Sequence, residues 1–301
     1  MGKIKPKKIK IGDTIGVITP SGNIYRDKKQ IQDGIKILEK EGFKILFGSC
    51  FNGKYKKTSG VPLARAKEIN SMFENKKVKA IFCSEGGDTA NQVVDLINYD
   101  LIKKNPKILV GYSDICHILL SIYKKTGLVS YYGPNISTLS KISSKSKKHL
   151  FNMLKGDQII FPKYSVIKEG KSEGLLIGGN LFVFNFMNKS KYNIDCRGKI
   201  LFWEEIDDSV ASVEYQLYQL QISGILEQLS GMIVGHISKP KRKLIYYKNI
   251  LMNLTKSYDY PIIELNYFGH DINKLYTLPL GVNAKIDTKG NKFCLSESVV
   301  K

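Results

Sequence analysis

The sequence has little of what marks secreted, membrane-spanning or disulfide-rich proteins. No apolar run approaches the roughly 18 residues of a membrane-spanning helix, and residues 1–8, MGKIKPKK, lack the apolar core of a signal peptide. There are five cysteines, an odd number, and they lie far apart along the chain. This pattern predicts reduced thiols rather than a disulfide framework. We therefore expect a cytoplasmic protein.

Sequence signals for common cofactors are also missing. The chain has neither a glycine-rich Walker loop nor a Rossmann fingerprint, and its histidines, cysteines and acids show no metal-ligand spacing. We therefore expect no cofactor and no metal ion.

Arginine is scarce in a chain that is otherwise strongly basic. The formal net charge is +20, yet only four of the 47 basic residues are arginine. Sites that read bases or clamp phosphates usually favour arginine, and the lysines are spread along the whole sequence. The charge thus indicates a compositional bias towards lysine, and we expect no nucleic-acid partner and no membrane partner.

Strands and helices alternate through the first half of the chain. Apolar segments predict strands over Thr14–Thr19, Phe43–Phe47 and Val78–Cys83 and another that ends at Gly111, with helical spacing between them. Such alternation implies crossover connections and a parallel sheet covered by helices on both faces. The predicted fold class is α/β.

The second half of the chain follows a polar interval that runs from about residue 137 to residue 173. Strands are predicted over Lys199–Trp203, Gly231–Gly235 and Pro261–Leu265, with amphipathic helices between them. At 301 residues the chain fits two domains of about 150 residues each. We predict domains at 1–150 and 151–301.

Ser113 lies at a predicted turn between a buried strand and a helix. The strand ends at Gly111, and apolar residues recur at helical spacing from Ile115 to Ile122. A serine at such a turn lies at the carboxyl edge of an α/β sheet, where it can act as a nucleophile. Serine and aspartate are also ordinary helix N-caps, so Ser113 and Asp114 alone leave a purely structural role open.

Two further polar groups follow predicted strands. Gly86-Gly87-Asp88 could present backbone N–H groups to a developing oxyanion, or it could be a plain glycine turn. Glu204-Glu205 follows the strand that contains Trp203, the one tryptophan. Adjacent acids are usually solvated, but a carboxylate at the end of a buried strand can orient a base.

Four histidines are candidates for that base. His117 falls on the helix after Ser113 as a packing or surface residue, and His149 is expected to be exposed in a lysine-rich segment. His236 and His270 both follow predicted strands and compete for the role. We favour His270 because it follows a glycine in a loop and an activated serine needs a base.

These segments together resemble the LD-carboxypeptidase family of serine peptidases, which includes cytoplasmic murein tetrapeptide carboxypeptidases and microcin C immunity proteins. The resemblance covers essentially the whole chain. It rests on Gly111-Tyr112-Ser113-Asp114, Gly86-Gly87, Leu201-Phe202-Trp203-Glu204-Glu205 and Gly269-His270, with support from Gly12–Ser21 and Gly127–Pro134.

The resemblance implies an N-terminal flavodoxin-like parallel-sheet domain that carries the nucleophile. It also implies a smaller C-terminal α/β domain, with its own sheet, that carries the acid and the base, usually in a homodimer. Carried over by position, Ser113 is the nucleophile, His270 the general base and Glu204 the orienting acid.

The resemblance further assigns an oxyanion hole to the backbone N–H groups of Gly87 and Asp114. Gly86, Asp88 and Trp203 are the expected substrate-binding residues. The implied reaction is hydrolysis of an amide bond to a small amino acid through an acyl-enzyme, with an L,D-bond of murein peptides as the expected substrate.

Two departures from the family pattern keep alternatives open. The family commonly has Leu-Glu-Asp where this chain has Trp203-Glu204-Glu205, so either glutamate could orient the histidine. Its murein-cleaving branch often has Arg-Gly-Gly-Tyr where this chain has Glu85-Gly86-Gly87-Asp88, which looks closer to the microcin-immunity branch. The alternatives are therefore a peptidase for aminoacyl or peptidyl nucleotide amides, and a non-catalytic binding protein on the same fold.

Overall fold

A computed structural model describes residues 2–206, 210–238, 242–271 and 273–301. Over these residues the chain folds into two sheets with helices packed against them. No helix in the described ranges is long and apolar enough to cross a membrane.

The first half of the chain alternates between strands and helices. The strands are β1 (Thr14–Ile18), β2 (Lys44–Phe47), β3 (Val78–Cys83), β4 (Ile108–Gly111) and β5 (Ser130–Tyr132). The helices are α1 (Lys28–Lys40), α2 (Pro62–Glu74), α3 (Tyr99–Lys104), α4 (Cys116–Thr126), α5 (Ile136–Leu139) and α6 (Ser144–Lys155), with 3₁₀ helices at Ala90–Leu96 and Ser113–Ile115.

The second half is richer in strands. They are β6 (Ser165–Lys168), β7 (Lys171–Asn180), β8 (Ile200–Glu205), β9 (Gly231–Ile237), β10 (Ile262–Glu264), β11 (Leu278–Leu280), β12 (Asn283–Asp287) and β13 (Lys292–Leu295). The helices are α7 (Leu181–Asn188), α8 (Val210–Ile222) and α9 (Arg242–Leu254), with a 3₁₀ helix at Leu226–Gln228.

The first sheet has the order β11-β5-β4-β3-β1-β2, and its first five strands along the chain pair in parallel. β3 shows why the sequence favours this arrangement, since five of its six residues are buried. A near-continuous apolar strand must be covered on both faces, as a parallel sheet between helix layers is. The predicted α/β class with two sheets is confirmed.

The second sheet has the order β13-β12-β7-β8-β9-β10-β6, with a parallel centre from β7 to β10. β11 belongs to the second half of the chain but pairs antiparallel with β5 at the edge of the first sheet. The chain therefore passes from the second sheet to the first sheet at β11 and returns to the second sheet at β12. The predicted domain boundary at residue 150 stays a prediction.

One helix was not predicted, and one strand runs further than predicted. The lysine-rich segment near residue 145 forms α6, because Ser143 caps its first turn and apolar residues from Leu150 to Leu154 are buried while lysines cover the other face. β8 runs on through Glu204 and Glu205, which therefore belong to the strand rather than to a loop after it.

Candidate active site

Ser113 occupies a strained turn at the carboxyl end of β4. Its φ is +62°, a left-handed conformation that costs a residue other than glycine about 1–2 kcal/mol. A short 3₁₀ helix, Ser113–Ile115, then leads into α4. The turn has the geometry of a nucleophile elbow, in which the serine side chain projects from the sheet edge.

The structure brings Ser113, His270 and Glu204 into one hydrogen-bonded line. The Oγ of Ser113 lies 3.1 Å from Nε2 of His270, and Nδ1 of His270 lies 2.7 Å from Oε2 of Glu204. Gly269 makes this approach possible, because a Cβ at that position would lie 2.6 Å from the same glutamate oxygen. A proton can pass from the hydroxyl to the imidazole while the carboxylate fixes the ring.

The alternation of side chains along β8 decides which glutamate meets the histidine. Glu204 is fully buried and its Oε1 accepts hydrogen bonds from the hydroxyl of Tyr132 at 2.7 Å and from Nδ2 of Asn180 at 3.2 Å. Glu205 is the next residue on the strand, where side chains alternate between faces. It accepts hydrogen bonds from the backbone N–H groups of Phe182 and Ile206 and shares the Asn180 amide, whose Nδ2 lies 3.2 Å from its Oε1. Glu204 is therefore the acid beside His270.

The pKa of His270 is raised above its ordinary value. Burial of the imidazole acts to lower this pKa, but the charge and hydrogen bond of Glu204, with the charge of Glu205, outweigh that effect. A base held in this way accepts a proton from a serine hydroxyl more readily than a free imidazole does.

The backbone N–H groups of Gly87 and Asp114 lie on the two loops that flank the serine. A Cβ on the neighbouring Gly86 would lie 3.6 Å from Ser113 Oγ, so this loop passes directly beside the hydroxyl. Gly87 has φ +149°, and a Cβ there would collide with Ser21. The Gly87 N–H donates no hydrogen bond within the described ranges, and the Asp114 N–H lies in the first turn of a 3₁₀ helix, where a backbone N–H has no acceptor inside the helix. Both can therefore serve an anionic ligand.

The Asp114 side chain joins these loops. Its Oδ2 accepts hydrogen bonds from the Ser21 hydroxyl and from the backbone N–H groups of Thr89 and Ala90, at 2.9 and 2.8 Å for the latter two. Its Oδ1 lies 3.1 Å from Nδ1 of His117. Burial acts to raise the pKa of Asp114, but these hydrogen bonds hold it below the usual range.

A cavity of about 750 Å³ opens over the serine and the histidine. Gly86, Gly87 and Asp88 line it, together with charged side chains of both signs: Arg26, Asp27, Lys57, Glu85 and Lys141. Asp88 pairs with Lys57 in solvent. The cavity is large enough for a small peptide and polar enough to bind a charged one.

Trp203 is an expected substrate-binding residue that the structure does not bring to the cavity. It is 0% exposed and absent from the cavity lining. The reason is the two-residue period of a strand: Trp203 and Glu204 are neighbours on β8, so they point to opposite faces. Its expected contact with substrate has no support in this geometry.

The other three histidines of the chain have different hydrogen-bond partners from His270. His236 lies within β9 and contacts the side chain of Asn266, so it does not reach the serine. His149 was expected to be exposed, and this is wrong: it is buried, with Nε2 3.0 Å from the carbonyl oxygen of Thr277. His117 packs beneath the serine turn against Asp114.

Two residues that contact Glu204 were not predicted, namely Tyr132 and Asn180. Both stand at the carboxyl ends of parallel strands, Tyr132 at the end of β5 and Asn180 at the end of β7. Polar residues at that edge are the available signal, but Tyr132 lay inside an apolar aromatic segment and Asn180 also had an ordinary helix-capping role.

Potential metal ligands do not cluster in the described ranges, where no group of three or more His, Cys, Asp or Glu side chains could hold an ion. Ser113, His270 and Glu204 are of the three residue types that nucleophilic catalysis by a serine requires, in a geometry that permits it.

Two family profiles match the chain. The LD-carboxypeptidase N-terminal domain matches residues 15–133, and the LD-carboxypeptidase C-terminal domain matches residues 173–286. The "Probable murein peptide carboxypeptidase" of Bacillus subtilis (strain 168) is 30% identical over 296 residues, which cover 94% of this chain and 92% of that protein.

The chain is also similar to a microcin immunity protein over nearly its whole length. The Escherichia coli microcin C7 self-immunity protein MccF is 27% identical over 95% of this chain and 94% of its own length. A structure of MccF in complex with glutamyl sulfamoyl guanosine has a TM-score of 0.89 at 26% identity, and the match covers 99% of both chains.

A solved structure of a carboxypeptidase is similar as well. The muramoyltetrapeptide carboxypeptidase from Oxalobacter formigenes has a TM-score of 0.81 at 26% identity over 94% of this chain and 97% of its own.

Proposed function

Because the chain belongs to the LD-carboxypeptidase family, we propose that it is a serine carboxypeptidase that hydrolyses an amide bond to a small amino acid. The proposed bond is an L,D-bond of murein peptides. The observation that carries the proposal is the hydrogen-bonded line from Ser113 through His270 to Glu204 at the floor of a cavity of peptide size.

In the first half-reaction His270 Nε2 takes the proton from Ser113 Oγ as that oxygen attacks the scissile carbonyl. The N–H groups of Gly87 and Asp114 stabilise the resulting oxyanion. The carbon–nitrogen bond then breaks, and the imidazolium returns its proton to the departing amine. An acyl-enzyme on Ser113 remains, while Glu204 holds the imidazole in the productive tautomer.

In the second half-reaction a water molecule gives a proton to His270 Nε2 and attacks the ester carbon. The carbon–Oγ bond breaks, the acid is released, and His270 returns the proton to Ser113 Oγ. The raised pKa of His270 means that the activity falls on the acid side at a pH above the ordinary histidine value, because only the neutral imidazole is a base.

The direct test is Ser113→Ala assayed on a muramyl tetrapeptide, with released D-alanine measured. We expect a loss of at least about 10³-fold in kcat. Ser121→Ala is the matched control, since Ser121 is buried on α4 and donates its hydroxyl hydrogen bond to the Ile118 carbonyl, away from the cavity. Full activity of Ser113→Ala would remove the triad assignment.

A second candidate is a microcin-type immunity peptidase that cleaves aminoacyl or peptidyl nucleotide amides. The sequence Gly86-Gly87-Asp88-Thr89-Ala90-Asn91 and the similarity to MccF over nearly the whole chain favour it. Side-by-side assays on a muramyl tetrapeptide and an aminoacyl-sulfamoyl adenylate separate the two candidates. Hydrolysis of neither, with salt-dependent binding to random duplex, would favour a non-catalytic binding protein.

We also propose that the protein works as a homodimer in the cytoplasm. The support for the dimer is a set of large apolar side chains exposed on the adjacent helices α7 and α8, namely Phe182, Phe186, Tyr215, Tyr218 and Ile222. Exposed apolar residues in such numbers commonly mark an interface. Sedimentation equilibrium gives the oligomeric state, and a purely monomeric protein would contradict the proposal.

A further inference from the structure

The hydroxyl of Tyr132 lies between the two halves of the candidate active site. It donates a hydrogen bond to Oε1 of Glu204 at 2.7 Å and accepts one from the backbone N–H of Ser113 at 3.3 Å. Tyr132 and Ser113 follow neighbouring strands of the first sheet, whereas Glu204 belongs to the second sheet. One phenol thus contacts both the nucleophile's backbone and the acid.

The surroundings of Tyr132 fix its ring and keep its proton in place. The side chain is fully buried and packs against Phe202, with ring centroids 5.9 Å apart, and edge-on against Tyr112 at 6.2 Å. Burial and the nearby charge of Glu204 raise the pKa of Tyr132 well above its usual value. The phenol therefore stays a hydrogen-bond donor throughout the physiological pH range.

The contact with Glu204 has a consequence for His270. The two carboxylate oxygens have separate partners: Oε1 receives Tyr132 and Asn180, and Oε2 faces Nδ1 of His270. Donors on Oε1 fix the rotation of the carboxylate and draw part of its negative charge away from Oε2. The strength of the attraction between Glu204 and the imidazolium therefore depends on the Tyr132 hydrogen bond.

We propose that Tyr132 is a positioning residue that aligns Glu204 with His270 and ties this acid to the serine turn across the two sheets. The inference rests on the proposed function, since it assigns Tyr132 a part in the same hydrolysis. Tyr132 acts through Glu204 and the Ser113 backbone and does not touch the reacting atoms.

The test compares Tyr132→Phe with Tyr131→Phe in the full-length protein. Tyr131 precedes Tyr132 on β5, is equally buried, and donates its hydroxyl hydrogen bond to the carbonyl oxygen of Val299 at 2.9 Å. Each variant deletes one buried, hydrogen-bonded hydroxyl, so both are expected to lose stability to a similar extent. Only Tyr132→Phe removes a donor from Glu204.

For Tyr132→Phe we expect kcat on a muramyl tetrapeptide to fall about tenfold with little change in KM. The acid limb of the kcat/KM profile moves to higher pH, by about half a unit, because Glu204 with one donor fewer holds the proton on His270 more strongly. Tyr131→Phe leaves kcat and the pH profile as in the wild type. An unshifted profile for Tyr132→Phe would reduce the tyrosine to a packing role and overturn the proposal.

Two further measurements keep the test decisive. If Tyr132→Phe does not fold, 3-fluorotyrosine at position 132 retains the ring and makes the phenol a stronger donor. The acid limb should then move to lower pH, and a shift in the opposite direction or none contradicts the proposal. NMR titration of the His270 ring, one of four histidines in the chain, gives its pKa in wild type and variants without turnover. Absence of hydrolysis by the wild type would thus refute the proposed function, while the titration still decides the role of Tyr132.

Discussion

Two carboxylates near the nucleophile, Asp114 and Glu85, differ in how many hydrogen bonds they accept. Asp114 accepts hydrogen bonds from Ser21, Thr89 and Ala90 and contacts His117. Glu85 accepts one hydrogen bond, from the Gly86 backbone N–H at 3.1 Å, and its solvent-shielded Oε2 has no hydrogen-bond partner within the described ranges. Both lie at the carboxyl edge of the first sheet, Glu85 in the loop after β3 and Asp114 in the short 3₁₀ helix after β4.

The difference appears in the two pKa values. Burial acts to raise both, but hydrogen bonds reverse this effect at Asp114 and leave its pKa low. At Glu85 burial dominates and the nearby charge of Asp27 adds to it. These effects outweigh the Gly86 hydrogen bond and the charge of Lys141, so the pKa of Glu85 is raised. We conclude that Asp114 is part of the scaffold that holds the loops, whereas Glu85 is a charge kept at the cavity at some cost in stability.

The largest effect is expected from Asp114→Ala. The change removes the Asp114 acceptor from the Ala90 N–H and the Ser21 hydroxyl and leaves the Thr89 N–H with its longer 3.3 Å hydrogen bond to Ser21 Oγ. We therefore expect a loss of about 3 kcal/mol in the free energy of unfolding. Because Asp114 joins the Gly87 loop to the serine turn, the two oxyanion donors should lose their alignment, with a fall of at least about 10²-fold in kcat. Denaturant unfolding and peptide hydrolysis measure the two effects.

Asp33→Ala is the control for that variant, since Asp33 lies on α1, is partly exposed and pairs with Lys36 at 3.9 Å. The Asp114 contribution also has a defined pH dependence. Its folded-state pKa is depressed, so its stabilisation is present above the unfolded pKa of about 3.9 and is lost as the pH falls through the folded value. Equal stability of Asp114→Ala and wild type at pH 7 would show that Asp114 does not hold the loops together.

The surroundings of these carboxylates also show which parts of the candidate site could be predicted from the sequence. The strand-turn-helix around Ser113 and the glycine pair carry local patterns, so their places in the fold could be predicted. The roles of Glu204 and His270 were implied by the family resemblance, because the local sequence left Glu205 and His236 as alternatives. The hydrogen bonds of Asp114 could not, because Ser21 and Thr89 are distant in sequence and meet it only through the order of strands in the sheet. The contact of Tyr132 with Glu204 could not be predicted for the same reason, because the two residues belong to different sheets.

Trp203 illustrates a different limit. It was expected to bind substrate together with residues of the candidate site, and it directly precedes Glu204 in the sequence. Neighbouring residues of a strand point to opposite faces, so the residue next to Glu204 is a core side chain that is 0% exposed. Nearness in sequence to a site residue is therefore a poor guide to which strand residues contact a ligand.

A smaller effect is expected from Ser21→Ala, which removes one donor from Asp114 and keeps the others. A hydrogen bond to a charged group contributes about 2 kcal/mol, so we expect a loss of that order in the free energy of unfolding and a kcat reduced less than in Asp114→Ala. Ser59→Ala is the matched control, because Ser59 is also buried but donates its hydroxyl hydrogen bond to the Thr19 carbonyl. A larger loss of kcat in Ser59→Ala than in Ser21→Ala would contradict the proposed role of Asp114 in holding the loops.

The smallest effect, and the one of opposite sign, is expected from Glu85→Gln. The folded pKa of Glu85 lies above its unfolded value of about 4.3, so the carboxyl costs nothing below that pH and destabilises the fold as the pH rises through the folded pKa. Glu85→Gln should therefore stabilise the protein by about 1 kcal/mol at pH 8 and by much less at pH 4. Thermal unfolding at both values measures this, with exposed Glu74→Gln as the control. A destabilised Glu85→Gln at pH 8 would mean that Glu85, like Asp114, belongs to the scaffold.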